Sequence, residues 1–309
     1  MKTKLLLTAF ISSFLLQHSA FGQGALTPSG APAPTMKSLA QIEARIPIST
    51  TPYFIFTPGS YYLTGNLAVS SGGAIAITAN NVTLDLNGFT ISSTASPATS
   101  SAILLSGPRV NISIYNGHIS SGVTNNASGL IFGGIGFSNG ISAVNPSNVR
   151  VKDVSVSGVL SDAIDISGSG GSTVVESCTV NVAGSHGIRA DSVSDSVAMN
   201  CGLYAISTST ASHCKGYGIG NGAGVYANTA NNCWGYASGY GDGLDTITAN
   251  SCYGYASGTG YGIHADDVAT GCSGYSLSGI GLSSFIANAC RGSTGSGTGL
   301  SVTHNVNSF

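Results

Sequence analysis

Asp245 and His264 occupy the same place in successive copies of a repeat of about twenty residues, with Asp242, Asp266 and Asp267 close by in the 309-residue chain. If the copies stack, these side chains meet. Acids converging beside an imidazole can move protons or hold calcium through oxygen ligands. A second set keeps the same beat: Tyr204, Tyr217, Tyr236, Tyr255 and Tyr275 each stand three residues after a cysteine, and Trp234 and Tyr253 one residue after. Tyr and Trp join an apolar body to a polar tip, so a row of them can stack on sugar rings while bonding sugar oxygens. The glycines between them, Gly216, Gly235, Gly254 and Gly274, allow a second arrangement in which the strand bends and the tyrosines turn inward.

The cysteines are the third set: Cys178, Cys201, Cys214, Cys233, Cys252, Cys272 and Cys290. Outside the cell they would suggest disulfides. Equivalent positions in stacked coils, however, lie about 4.8 Å apart, and a disulfide wants Cβ atoms at about 3.5–4.5 Å with a specific torsion. An odd number also leaves one thiol over. The expectation is a buried, reduced ladder in which cysteine serves as a small hydrophobe. No C-x-x-C pair is present, and no metal site is expected of the thiols.

The elements that must position these residues follow from the repeat. An aliphatic column, usually after a glycine, runs Ile141, Ile164, Ile188, Ile206, Val225, Leu244, Ile263, Leu282 and Leu300, and an apolar residue precedes each cysteine by three: Val175, Ala198, Ala211, Ala230, Ala249, Ala269 and Ala287. The short interval from Cys201 to Cys214 reads as a trimmed turn. Segments such as NVRVKDVSVSG (148–158) and STVVESCTVNVAG (172–184) alternate apolar and polar residues, which predicts strands, and their alignment sets Cys178 on Val154. The Leu-x-x-Leu-x-Leu signature is absent, so the repeat reads as a β-solenoid rather than a leucine-rich repeat.

Composition agrees: 7% of residues are charged and 44 are glycine, too few helix formers for long helices. Lys2 and Lys4 ahead of the apolar run Leu5–Leu16 read as a signal peptide ending at Gly22, which directs the chain to secretion or the cell surface. Without those two lysines, 8 basic residues face 12 acidic ones. That excess of acid excludes a nucleic acid held through phosphates. No later apolar stretch approaches the length of a transmembrane helix.

TPGSYYLTGNL (57–67), NVTLDLNGFTIS (81–92) and NISIYNGHISSG (111–122), with the leader PTMKSLAQIEARIPIS (34–49) before them, resemble the opening coils of secreted bacterial right-handed parallel β-helix repeat proteins of pectin-lyase-like architecture. The resemblance implies an all-β, single-stranded right-handed parallel β-helix of about ten or eleven coils with an N-terminal cap. The expected division is 1–22 signal peptide, 23–56 leader and cap, and 57–309 β-helix, with MKSLAQIEAR (36–45) and the YFIF run (53–56) covering the open end. Hydrolases on this fold carry an aspartate pair and a later Gly-His-Gly; here Asp266 and Asp267 follow rather than precede the nearest match, Ser185–Gly187. Arg189, beside Asp165, reads as one half of an ion pair. The expected function is therefore a non-catalytic solenoid that binds glycans through Tyr217, Trp234, Tyr236, Tyr253, Tyr255 and Tyr275, or a cell-surface structural or adhesion protein. The alternative is a polysaccharide lyase or glycoside hydrolase using Asp245, His264, Asp266 and Asp267. Thr-x-Thr triplets do not recur at the beat, which disfavours an ice-binding face.

Overall fold

The computed structural model describes residues 43–126, 131–168 and 172–309; the signal peptide and most of the leader helix expected from sequence lie outside the described residues. By its contacts the chain divides into Met1–Ala44 and Arg45–Phe309. The second unit is a right-handed parallel β-helix, with strands and no helix among the described residues.

One inward column runs its length. Tyr53, Ile75, Ile103, Ile141, Ile164, Ile188, Ile206, Val225, Leu244, Ile263, Leu282 and Leu300 pair in register from turn to turn. All but the two terminal members are buried. A lone coil cannot cover such a face, and stacking does it for every coil except the outermost. The parallel pairing begins before residue 57: Ile46–Ile48 pairs with Gly59–Leu63, and Tyr53–Ile55 with Ile75–Ile77. The YFIF run is thus a strand of the first described turn. Its period of two turns Ile55 into the core and leaves Phe54 and Phe56 exposed.

In the C-terminal half a turn is a seven-residue strand such as Leu244–Asn250, a one-residue bend followed by the cysteine, a four-residue strand such as Tyr253–Ala256, and a glycine-rich return. The bend residue is left-handed: His213, Asn232, Ser251, Gly271 and Ala289 have φ of 54°, 51°, 51°, 60° and 52°. Asn and Gly enter that region more readily than other residues, and most members of the column are small or polar. An antiparallel hairpin, Gly122–Asn125 with Phe132–Ile135, is inserted between two turns.

All seven cysteines are buried and free, but they do not form one column. Strand register places Ser196, not Cys201, between Cys178 and Cys214, and Ser196 is fully buried there, its Oγ accepting the Cys178 amide at 3.1 Å. Cys201 instead continues the column of Ala183 and precedes Gly218. No turn is trimmed between Cys201 and Cys214. Likewise Val193, not Ala198, precedes Ala211 in the apolar column. Serine is nearly isosteric with cysteine, and its hydroxyl is satisfied by the carbonyl of Ser194 at 2.7 Å. Matching by residue type therefore followed the wrong sulfur.

Candidate functional site

The short C-terminal strands carry the aromatic residues. Their inward positions are Gly216, Gly235, Gly254 and Gly274, all buried, and a Cβ on Gly235 would stand 1.9 Å from the Gly243 carbonyl oxygen. The core here is one backbone against another. The glycines therefore do not turn the tyrosines inward: alternation sends both neighbours of each glycine outward. Tyr217, Tyr236, Tyr255 and Tyr275 form one outer column, and Lys215, Trp234, Tyr253, Ser273 and Arg291 the column beside it. Tyr204 stands elsewhere, because Cys201 belongs to another register.

Tyr236 and Tyr255 have ring centroids 5.2 Å apart and planes 7° apart, and Tyr255 and Tyr275 are 5.1 Å and 18° apart. Rings side by side in one plane would collide at that distance, so these rings overlap face to face with an offset. The expected display of flat faces is therefore not what is built. The tyrosines cover one another's faces and offer their edges and hydroxyls to solvent. Trp234 and Tyr253 stack more openly, at 6.3 Å and 15°, and Tyr253 is 38% exposed. Burial, then the neighbouring phenols, raise the Tyr255 hydroxyl above its ordinary pKa.

A different wall carries the acids. Asp245 lies in register with His264 on the next turn, and the two approach to 3.4 Å, with Asp266 3.6 Å from the other imidazole nitrogen. The strand bulges here: between Ala265 and Val268 two residues, Asp266 and Asp267, face one residue of each neighbouring turn. The extra residue swings Asp266 beside His264, and both aspartates are exposed. Asp242 joins from the preceding return, its carboxylate accepting the Tyr261 amide at 2.6 Å, and the Tyr261 ring lies on His264 at 4.8 Å and 19°. One ligand atom each from Asp242, Asp245 and His264 fall within 4.8 Å of one another. Burial first, and the Asp245 charge second, push the Asp242 carboxyl up to about 6. Asp245 chiefly, with Asp242 and Asp266, raises the His264 imidazole despite its partial burial.

The same wall continues toward the N-terminus through residues that the sequence reading left out as a group. Tyr226 and Tyr204 are 5.2 Å apart, Tyr204 stacks on His186 at 5.8 Å, and His186 Nδ1 lies 2.8 Å from Asp162. Burial works to raise Asp162, but hydrogen bonds from His186 and Ser185 outweigh it and hold the carboxyl below its usual range. These residues precede the aliphatic column by two or follow it by one, a signal available in the alignment. Arg189 pairs with Asp165 at 3.1 Å. Further along lies a shallow apolar groove of about 440 Å³ beside Tyr53, Phe54 and Leu104, lined by none of the expected residues. Compared with protein-family models, curated proteins and solved structures, the chain matches none.

Proposed function

We propose that this chain is an exported solenoid that binds an extended glycan, or anchors to glycan-bearing surface material, without cleaving it. The observation that carries the reading is the outward aromatic wall Tyr217–Tyr236–Tyr255–Tyr275 with Trp234 and Tyr253 beside it. A hydroxyl recurs once per turn along one line, a pattern that suits a polymer of repeating units. The grip is edge-on: phenol hydroxyls bond sugar oxygens, and the more open Trp234 and Tyr253 supply apolar contact. The test is retention of residues 23–309 on a panel of acidic and neutral polysaccharides, with and without calcium. Replacing Tyr236 and Tyr255 by Phe keeps the stack and removes two hydroxyls, so affinity should fall about ten- to thirty-fold, at about 1 kcal/mol per hydrogen bond. Trp234→Ala should weaken retention further. Failure of the parent to retain any polymer, or equal retention by all variants, rejects the reading.

One observation favours a second reading, hydrolysis. Asp242, with its pKa near 6, stands within 4.8 Å of Asp245, ligand atom to ligand atom. A carboxyl with a raised pKa beside a second carboxyl is the pairing glycoside hydrolysis uses, and close carboxyls go with retention of configuration. In this reading Asp242 protonates the leaving oxygen and Asp245 attacks or stabilises the sugar cation. New reducing ends made by the parent and abolished by Asp245→Asn would establish it. Calcium, which takes 6–8 oxygen ligands, would need several beyond the two aspartates.

A further inference from the structure

Cys214, Cys233, Cys252, Cys272 and Cys290 take one inward position on five consecutive turns, immediately before the paired residues Lys215, Trp234, Tyr253, Ser273 and Arg291. Packing alone does not call for sulfur, because Val154 stands at this position in an earlier turn, in register before Ser155. Each thiol of the five lies 3.2–3.3 Å from the carbonyl oxygen two residues before it. The sulfurs of Cys252, Cys272 and Cys290 also each accept a backbone amide from the preceding turn at 3.4 Å. Amide donors aimed at sulfur favour a sulfur that carries negative charge.

We propose that this column binds a monovalent thiophilic cation, Cu(I) or Ag(I), held in line between the sulfurs of two successive turns. Two metal–sulfur bonds, each taken at about the 2.3 Å of a zinc thiolate, span about 4.6 Å, close to the pitch of about 4.8 Å that stacked strands impose. Soft thiol ligands select Cu(I) over the harder ions. One thiol gives its proton to solvent as its sulfur bonds the ion, and the second sulfur coordinates through a lone pair and keeps its proton. No electron is transferred, and the thiolate–cation–thiol unit is neutral, as a buried site requires. Five sulfurs in separate pairs hold two ions per chain. The thiols are covered on all sides, so loading accompanies folding. Cys178 and Cys201 have no thiol above or below and take no part.

The test refolds residues 23–309 with Cu(I) or Ag(I), removes unbound metal, and counts ions by native mass spectrometry. Two variants keep the same number of thiols. Cys178→Ala/Cys201→Ala leaves the column whole and should still bind two ions, whereas Cys233→Ala/Cys272→Ala leaves no two adjacent thiols and should bind none. Equal binding by both variants, or none by the parent, overturns the proposal. If the second variant does not fold, X-ray absorption at the metal edge of the loaded parent decides. Two sulfur neighbours and no other ligand support the site, and any other set of neighbours rejects it.

Discussion

Asp242 shows how a single residue acquires chemistry from its surroundings. Its carboxyl, ordinarily near 3.8, sits at about 6 because burial and Asp245 oppose its charge. A carboxyl with a higher pKa folded than unfolded holds its proton more tightly in the folded state. The fold is therefore most stable, as far as this group goes, below about pH 4, and loses up to about 3 kcal/mol as pH rises through about 6. His264, also raised, acts in the same direction: its contribution is complete below its unfolded pKa and disappears as pH rises through its folded one. Asp242→Asn removes the first effect. Urea unfolding at pH 4 and pH 7 should show the variant gaining on the parent by up to about 3 kcal/mol at the higher pH, and a difference independent of pH would contradict this account.

At the scale of the element, the short strands place their aromatics outward only because glycine lies inward between them. A methyl group on Gly235 would meet the Gly243 oxygen at 1.9 Å and Leu244 Cδ1 at 2.5 Å. Gly235→Ala should cost about 3 kcal/mol or more through overpacking, seen as a lower urea midpoint. Gly65, with nothing within 4 Å of a built Cβ, is the control, and Gly65→Ala should stay within about 0.5 kcal/mol of the parent. The tyrosine stack adds about 0.5–1.5 kcal/mol per ring pair to the strands that carry it. The wall is therefore also a brace between turns.

At the scale of the whole molecule, the turns are near-interchangeable units whose stability comes from their neighbours. Residues 234–252 form one complete turn, and removing them joins Cys233 to Tyr253, which stands in register with Trp234. Deleting that turn should leave the circular dichroism spectrum unchanged and lower the melting temperature by a few degrees, whereas deleting residues 234–243 breaks register and should prevent cooperative folding. The sequence by itself determined the solenoid, the aliphatic column and the pairing of Asp245 with His264, because identical positions in stacked coils become neighbours whatever the details. It also showed that the cysteines are core residues. Only the tertiary structure decided that Ser196 replaces Cys201 in the ladder, that a bulge brings Asp266 to His264, and that the tyrosines cover one another's faces. Each of these depends on strand register, a local twist or a side-chain torsion. Neighbouring coils set such quantities through packing, and a repeat period does not encode them.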